Sequence, residues 1–303
     1  AFKLNNFSYD DTRYVNGSID YKTRLSGGRF IQHLSRLPGN YSLIFSQDKD
    51  GTIFLSDTNI HHAQIVVKDV AGNSSIIDFK FQWDPNVTRD ISTNSDAIKM
   101  APEKENALKT NDLEVVFSDK AFYDTVPFIY KFSPSKDPRA ISATHYLHNY
   151  TVPVHDSFTV RVKPDAAHLQ TDRDKVVMQL VSNHKTEAVK GKWVGDWMEA
   201  KFRDLGTVKL LVDSVPPRIS PTDWINGGNV SNKKSIAFLV TDDLGEIKSF
   251  KAFLDGKWLL FSRKSNSFIH TFDDHTAPGK HELAVSVEDE AGNFTEKNYS
   301  FIK

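Results

Sequence analysis

The sequence predicts an all-β protein built from tandem β-sandwich domains, and three observations support this prediction. The chain has 303 residues, which is enough for two or three domains with separate cores. It contains 21 Phe and many Val, Ile and Thr residues, which favour strands over helices. The phrase Asp-x-Ala-Gly-Asn occurs twice, at 69–73 and 289–293, each time between two runs of alternating character.

The repeated phrase indicates a β-hairpin. Gly and Asn tolerate positive φ angles, so they suit a tight turn between two strands. In an immunoglobulin-like sandwich the last two strands form such a hairpin, and one domain has about 100 residues. Each copy therefore predicts the end of an immunoglobulin-like domain, the first at 1–84 and the second at 216–303.

The C-terminal domain, 216–303, contains enough strand candidates for a complete sandwich. Pro216 and Pro217 mark its beginning, because consecutive prolines impose extended geometry and exclude helix. Short strand candidates follow, each closed by Asp, Gly or Asn, and the terminal hairpin brings their number to about seven. The candidates before the hairpin lie at 218–221, 233–243, 247–256, 257–265 and 267–274.

The first domain, 1–84, is expected to be incomplete. Alignment with the C-terminal domain places Ala1 in mid-domain, predicts an opening strand within residues 1–14, and leaves about three strands without counterparts. An inserted stretch follows at 12–40. A sandwich without these strands would expose its core and its edges. We therefore expect an upstream segment of the same protein, or a partner chain, to complete it.

The remaining sequence is divided into a linker and a middle domain. Residues 85–112 are mostly polar and are predicted to form the linker. Residues 113–215 contain six strand-like runs and predict a third all-β domain without the repeated phrase. Within it, 192–204 could be a short helix, but the alternation of its aromatic residues favours a hairpin.

Composition excludes several classes of function. The net charge of −1 gives no electrostatic reason to expect nucleic acid or an anionic membrane as partner. The absence of cysteine excludes disulfides, thiolate zinc sites, iron–sulfur clusters and thiol nucleophiles. No apolar run approaches the ~20 residues of a membrane span.

No active site is predicted in this chain. The eleven histidines include no His-x-His and no His-Glu-x-x-His pattern, so no catalytic zinc site or other metal ligand is expected. His145, His148 and His155 lie close together in sequence, but we interpret them as surface or hydrogen-bonded residues. Paired carboxylates such as Asp242 and Asp243 are interpreted as turn residues.

Two groups of residues are speculative contacts for a ligand or partner. Trp193 and Trp197, with Trp224 and Trp258, could form a platform for sugar stacking, although core or joint positions are the more common role of such residues. The basic residues of the inserted stretch could meet an acidic surface, although a solvated face also explains them; they are Arg24, Arg29 and Arg36.

Several motifs resemble one known family. They are the stretches 7–21 (FSYDDTRYVNGSIDY), 37–40 (LPGN), 65–75 (IVVKDVAGNSS), 213–221 (DSVPPRISP), 253–260 (FLDGKWLL) and 287–293 (VEDEAGN). In this order they resemble the non-catalytic C-terminal β-sandwich region of lysostaphin-type (LytM-like) zinc metallopeptidases of Bacteroidota. The resemblance covers nearly the whole chain.

The resemblance implies an exported parent protein, located in the periplasm, the outer membrane or the cell surface, that cleaves peptidoglycan. In the family, a preceding domain binds the zinc cofactor through His-x-x-x-Asp and His-x-His motifs. This chain has no His-x-His, so no catalytic residue is carried over. Thr125 and Ser214 match the short O-glycosylation consensus of those bacteria, Asp-Ser/Thr-aliphatic.

The leading hypothesis is therefore a non-catalytic accessory region that docks or positions a peptidoglycan endopeptidase, with peptidoglycan or envelope proteins as its contacts. Two alternatives are a glycan-binding module and a scaffold subunit of an envelope or outer-membrane assembly. An enzyme with an unrecognised site is the remaining hypothesis.

Overall fold

The computed structural model describes residues 9–40, 51–87, 96–168, 172–245, 247–274 and 276–303. The chain divides into two compact units, 1–97 and 98–303. The second unit contains two β-sandwiches in succession. The predicted class, an all-β protein with tandem sandwich domains, is confirmed.

The first unit contains two helices and one hairpin. The helices are α1 (Tyr9–Gly17) and α2 (Tyr21–Leu25), and the strands are β1 (His61–Lys68) and β2 (Ser74–Phe81). The prediction of an opening strand within 1–14 is wrong for residues 9–14, which belong to α1, while 1–8 lie outside the described residues. Carboxylates are favoured in the first turn of a helix, where Asp11 lies, and Tyr14 buries its side chain.

The hairpin of the first unit is a two-stranded antiparallel sheet, with His61 opposite Phe81 and Lys68 opposite Ser74. Val66 and Val67 are adjacent and therefore point to opposite faces, yet they are 45% and 60% exposed. Neither face of the hairpin is covered at this point. Among the described residues, no third strand pairs with it.

The middle domain contains twelve strands within the described residues. They are β3 (Ile98–Met100), β4 (Asn106–Lys109), β5 (Leu113–Phe117), β6 (Val126–Phe128), β7 (Tyr130–Ser133), β8 (Thr144–Leu147), β9 (Phe158–Val162), β10 (Val176–Ser182), β11 (Lys185–Val189), β12 (Lys192–Val194), β13 (Trp197–Phe202) and β14 (Gly206–Val212). Two 3₁₀ turns, Ala166–His168 and Arg173–Lys175, precede β10.

Two five-stranded sheets enclose the middle core. Their strand orders are β11-β10-β14-β8-β7 and β12-β13-β9-β5-β4, and β3 pairs with β6 in a small separate sheet. Alternate residues of the inner strands point into one cluster of Val, Leu, Met and Phe side chains. The hairpin predicted within 192–204 is present as β12 and β13, and Gly195 in its turn has φ +61°.

The predicted linker, 85–112, is too long at its C-terminal end. The structure places 98–100 and 106–109 in β3 and β4, which pair with β6 and β5 of the middle domain. One polar residue of the stretch, Asn106, is structural: its Nδ2 donates to the carbonyls of Ala101 and Lys104, at 2.8 Å each. In a sequence, a buried Asn that hydrogen-bonds to the backbone cannot be distinguished from a polar residue of a linker.

The C-terminal domain contains the strands predicted for it, except that the candidate at 257–265 is divided into two short strands in different sheets. Its strands are β15 (Arg218–Pro221), β16 (Gly228–Asn229), β17 (Ser235–Thr241), β18 (Ile247–Leu254), β19 (Lys257–Trp258), β20 (Ser262–Lys264), β21 (Ser267–Thr271), β22 (Lys280–Asp289) and β23 (Phe294–Ile302). They form two sheets, β15-β17-β21-β20 and β16-β23-β22-β18-β19. The side chains between the sheets form the second core, with Trp224 packed against Phe238 and Phe301.

A third, smaller apolar cluster joins the two sandwiches of the second unit. Val177, Ala188 and Leu211 come from the middle domain, and Leu244 and Ala291 come from the C-terminal domain. All five side chains are buried. The cluster lies beside the segment 213–217 that connects β14 to β15, so the joint between the domains has a core of its own.

Candidate functional site

The joint brings together three aspartates that are far apart in sequence. Asp213 follows β14 of the middle domain, Asp242 follows β17, and Asp289 is the last residue of β22. One carboxylate oxygen from each residue lies within 4.8 Å of the other two. Asp213 and Asp289 are 1% and 0% exposed, and Asp242 is half-buried.

Asp289 is positioned by the turn that the repeated phrase forms. Its Oδ1 accepts a hydrogen bond from the backbone N–H of Asn293 at 2.8 Å. The backbone N–H of Gly292, at φ +76°, donates to the Asp289 carbonyl at 3.2 Å. These bonds hold Oδ1 in the turn and leave the buried Oδ2 without a hydrogen-bond partner.

Asp242 is positioned by a turn of its own at the end of β17. Its Oδ2 accepts from the backbone N–H groups of Leu244 at 3.1 Å and Gly245 at 2.8 Å. The interpretation of Asp242 as a turn residue is therefore confirmed for one oxygen. The other oxygen, Oδ1, is buried and has no hydrogen-bond partner.

Asp213 is held from both sides of the joint. Its backbone N–H donates to the Lys175 carbonyl at 2.8 Å within the middle domain. Its Oδ1 accepts from the Val215 N–H and from Asn293 Nδ2, each at 3.2 Å. Asn293 Nδ2 also donates to the Asp213 carbonyl at 3.1 Å. Asp213 Oδ2 is also buried without a hydrogen-bond partner. We call the three such atoms, Asp213 Oδ2, Asp242 Oδ1 and Asp289 Oδ2, the orphan oxygens of the cluster.

The electrostatics of the cluster are unfavourable to three negative charges. Burial raises the pKa of Asp213 to about 6, and the neighbouring Asp242 and Asp289 add to this rise. Burial also raises the pKa of Asp242, although the N–H groups of its turn oppose the rise. The arrangement is therefore a cluster of buried carboxylate oxygens with excess negative charge.

Two cations of the middle domain reach across the joint, but neither donates to an orphan oxygen. Arg139 donates from one guanidinium nitrogen to Asp243 at 2.6 Å and from others to Asp137. Lys175 Nζ donates to Asn293 Oδ1 at 2.7 Å and to the Gly292 carbonyl at 3.3 Å. These contacts tie the domains together without neutralising the three aspartates directly.

The two tryptophans predicted as ligand contacts do not form one platform. On the β12–β13 hairpin Trp193 lies opposite Met198, whereas Trp197 lies opposite Val194, so the two rings are on different faces. Trp193 packs against the middle core, donates from Nε1 to the Arg173 carbonyl at 3.2 Å and lies under the Arg173 guanidinium. Trp224 is buried in the C-terminal core, so the proposed set of four is not brought together.

The predicted basic contacts lie in the first unit. Arg24 and Arg29 are exposed, and Arg36 is half-buried. The Arg24 guanidinium lies 4.0 Å from the centre of the Phe30 ring. Their role as contacts to an acidic partner stays a prediction.

The histidines of the middle domain are hydrogen-bonded structural residues, as the sequence analysis expected. His145 and His155 each lie 2.9 Å from a tyrosine hydroxyl, and His148 Nδ1 accepts from a backbone N–H at 3.2 Å. Burial lowers the pKa of His145 and His148, which favours their neutral forms. The two proposed glycosylation residues, Thr125 and Ser214, are exposed, and their modification stays a prediction.

Sequence reasoning missed the aspartate cluster. Each aspartate has a local explanation as a turn or joint residue, and only the fold brings the three together. One signal was available: each follows or ends a strand, and one of them adjoins the Pro-Pro joint. Strand ends on the same side of a domain joint are positions where distant carboxylates can converge.

Comparisons with known proteins give one family match and several remote structural likenesses. A family model described as a Zu5-like domain matches residues 97–213, which coincide with the middle domain. No curated protein matches the chain significantly. None of the described helices is long and apolar enough to cross a membrane.

Among solved structures, the chain is similar to fibronectin(III)-like modules of Clostridium thermocellum CbhA, with 13% identity, a TM-score of 0.24, and coverage of 57% of this chain and 93% of that one. The chain is also similar to SGBP-B of the Bacteroides ovatus mixed-linkage glucan utilization locus, in complex with a heptasaccharide. The sequence identity is 11%, the TM-score is 0.17, and the match covers 94% of this chain and 59% of that one. A third similar structure is the extracellular domain of a hybrid two-component system from B. thetaiotaomicron. Its sequence identity is 12%, its TM-score is 0.22, and the match covers 87% of this chain and 38% of that one. The chain thus spans less than two thirds of the latter two.

Proposed function

We propose that this chain is a non-catalytic accessory region of an exported zinc endopeptidase that cleaves peptidoglycan, and that its sandwiches position the enzyme in the cell envelope. The observation that carries the proposal is the joint between the middle and C-terminal domains. It has a buried apolar cluster, a cross-domain hydrogen-bond network and an ion pair.

A joint of this kind suits a positioning role. Two sandwiches connected by a flexible linker sample many orientations, whereas a buried interface restricts them to one. Asn293 contributes to this restriction, because its side chain bonds to Asp213 and to Lys175 of the other domain. Residues 98–303 would act as a rigid spacer between an attached domain and a surface.

The peptidase parent is proposed from the motifs at 7–21, 37–40, 65–75 and 213–221. In that family zinc catalysis belongs to a separate domain, and the same motifs imply export to the envelope. The role proposed for this chain is to orient and to dock. Peptidoglycan or envelope proteins would be the surface on which it docks.

The hairpin of the first unit supports the proposal that further strands complete this domain. Ile76 and Ile77 of β2 point to opposite faces and are 56% and 58% exposed. Uncovered apolar faces and unpaired edges are positions where another strand adds. We assign this strand to an upstream segment of the same protein or to a partner chain.

Isolation of the protein from its native envelope tests the parent. We expect mass spectrometry of the intact complex to find a His-x-His and a His-x-x-x-Asp motif in the same polypeptide or in a co-purifying one. A complex whose components all lack a zinc-binding domain would contradict the proposal.

Assays of the chain itself test its role. Purified chain with added zinc should leave peptidoglycan intact, and hydrolysis would contradict the non-catalytic assignment. Retention of the chain on peptidoglycan that is lost on Trp193→Ala or Trp197→Ala would indicate a glycan-binding module in the middle domain. Trp83→Ala, at an exposed tryptophan of the first unit, is the control and should leave retention unchanged. Stable co-purification with envelope proteins and no glycan retention would indicate a scaffold subunit.

A further inference from the structure

We propose that Asp213, Asp242 and Asp289 bind one divalent cation of the calcium type at the joint between the middle and C-terminal sandwiches. This inference is independent of the peptidase parent, because it rests only on residues of 98–303.

The first observation is the set of orphan oxygens. Each aspartate uses one carboxylate oxygen in its own turn or backbone contacts, and the second oxygen is buried without a hydrogen-bond partner. Asp213 and Asp289 are at least 99% buried. A buried carboxylate oxygen without a partner is costly, and the three neighbouring carboxylates repel one another when they are charged. A single cation among them would satisfy all three oxygens.

The second observation is the spacing of the three carboxylates. One oxygen of each aspartate lies within 4.8 Å of one oxygen of each of the other two, so a cation between these three oxygens is at most about 2.8 Å from each of them. Ca²⁺ binds oxygens at about 2.3–2.6 Å in flexible geometry, whereas Mg²⁺ requires about 2.0–2.1 Å and a near-ideal octahedron. This limit suits the longer and more flexible Ca²⁺–oxygen distances better than the short, regular ones of Mg²⁺.

The chemistry of the donors also favours a hard cation. The three side chains offer only carboxylate oxygens, and no histidine contributes to the described cluster. Sites for zinc and copper use imidazole or thiolate ligands, whereas carboxylates and water suit calcium and magnesium. Calcium takes six to eight oxygens, so three carboxylates leave positions for water or backbone carbonyls.

Protein cations do not take the place of the ion. Arg139 is engaged with Asp137 and Asp243, and Lys175 Nζ donates to Asn293 Oδ1 and to backbone carbonyls. The Arg139 charge also acts on Asp213, but without a hydrogen bond to it.

The ion would connect three structural elements. Asp213 belongs to the end of the middle domain, Asp242 follows β17 in one sheet of the C-terminal sandwich, and Asp289 ends β22 in the other sheet. One cation would therefore fix the middle domain to both sheets of its neighbour. Calcium would therefore stiffen further a joint that the apolar cluster and the cross-domain hydrogen bonds already restrict.

The test is a calorimetric titration of the full chain with CaCl₂, and in parallel with MgCl₂, after treatment with a chelator. We expect one Ca²⁺ per chain, weaker Mg²⁺ binding, and a melting temperature that rises with calcium. Asp289→Asn should weaken calcium binding roughly tenfold or more, because it removes one charged ligand. Asp69→Asn is the matched control: it makes the same change in the exposed copy of the turn and should leave the affinity unchanged.

A second variant guards against misfolding of the first. Asp242→Asn changes a half-buried position whose turn needs only one acceptor oxygen, and circular dichroism checks that both variants keep their β structure. The proposal would be overturned if the folded wild-type chain bound no calcium. Equal calcium binding by wild type, Asp242→Asn and Asp289→Asn would also overturn it, because it would place the ion elsewhere.

Discussion

The two copies of the Asp-x-Ala-Gly-Asn turn, at 69–73 and 289–293, share the hydrogen bonds that their backbone N–H groups donate within the turn. In each, the Asn backbone N–H donates to the Asp carboxylate, at 2.9 Å in the first copy and 2.8 Å in the second. The Gly N–H donates to the Asp carbonyl at 3.2 Å in both, and the Gly φ angles are +89° and +76°. Five residues thus determine one local structure wherever they occur.

The two copies differ in the burial of their Asp and Asn residues and in the hydrogen-bond partner of the Asn side chain. In the first copy Asp69 and Asn73 are exposed, and Asn73 Nδ2 donates back to Asp69 at 2.7 Å. In the second copy Asp289 and Asn293 are buried, and Asn293 Nδ2 donates instead to the neighbouring domain. The turn is a local property, whereas the site depends on the surface that packs against it.

The largest predicted difference between the copies concerns the Asn side chain. Asn293→Ala should destabilise 98–303 by about 3 kcal/mol, because it removes the hydrogen bonds of Nδ2 to the Asp213 carbonyl and carboxylate and that of the Lys175 ammonium to Oδ1. Asn73→Ala should cost less than about 1 kcal/mol, since water replaces the lost bond. Urea unfolding of both variants measures the difference, and equal costs would contradict the account of the joint.

The Ala position should show the next largest difference. Ala291 is 1% exposed in the cluster between the domains, whereas Ala71 is exposed. Ala291→Leu should cost about 2 kcal/mol through overpacking, and Ala71→Leu should be nearly neutral. Thermal unfolding checks this pair. A neutral Ala291→Leu would mean that the interface yields without cost.

The Gly position should show no difference, because it belongs to the shared turn. Both glycines have positive φ, and a Cβ on either would meet nothing closer than about 4 Å. Gly72→Ala and Gly292→Ala should therefore each cost about 1 kcal/mol from backbone strain alone. Hydrogen exchange of each hairpin measures the two costs separately. A much larger cost at Gly292 would show that the joint, and not the turn, determines its conformation.

The smallest difference at neutral pH is one of titration. Hydrogen bonds from Asn73 lower the pKa of Asp69, whereas burial raises that of Asp213 beside the second copy to about 6. In metal-free protein the contribution of Asp213 to stability is therefore present below pH 4 and is lost as the pH rises through about 6, and Asp69 has the opposite sign at acid pH. Carboxyl ¹³C NMR titration with a chelator present measures both values; equal pKa values would contradict the difference in environment.

Side-chain periodicity and turn residues in the sequence were sufficient to predict the hairpins and the position of the domain joint. The alternating strands of the terminal hairpin, the Pro-Pro joint and the hairpin within 192–204 follow from side-chain periodicity and turn chemistry. The predictions for 98–109 and for residues 9–14 were wrong. A polar segment rich in Lys and Glu can contain strands and a buried Asn amide, and a segment with two Tyr can be helical.

The candidate site could not be predicted in the same way. Asp213, Asp242 and Asp289 each have a sufficient local reason to be aspartate, and their convergence depends on the pairing of two domains. The opposite error occurred at Trp193 and Trp197, which are close in sequence but lie on different faces of their hairpin because side chains alternate along a strand.

The most direct test of the central claim, that the middle and C-terminal sandwiches form one rigid body, is a distance measurement between them. The chain has no cysteine, so Lys131→Cys on β7 and Lys264→Cys on β20 place two spin labels specifically at exposed positions. Double electron–electron resonance should give one narrow distance distribution, which Asn293→Ala broadens. A broad distribution in the unaltered joint, with or without calcium, would contradict the account.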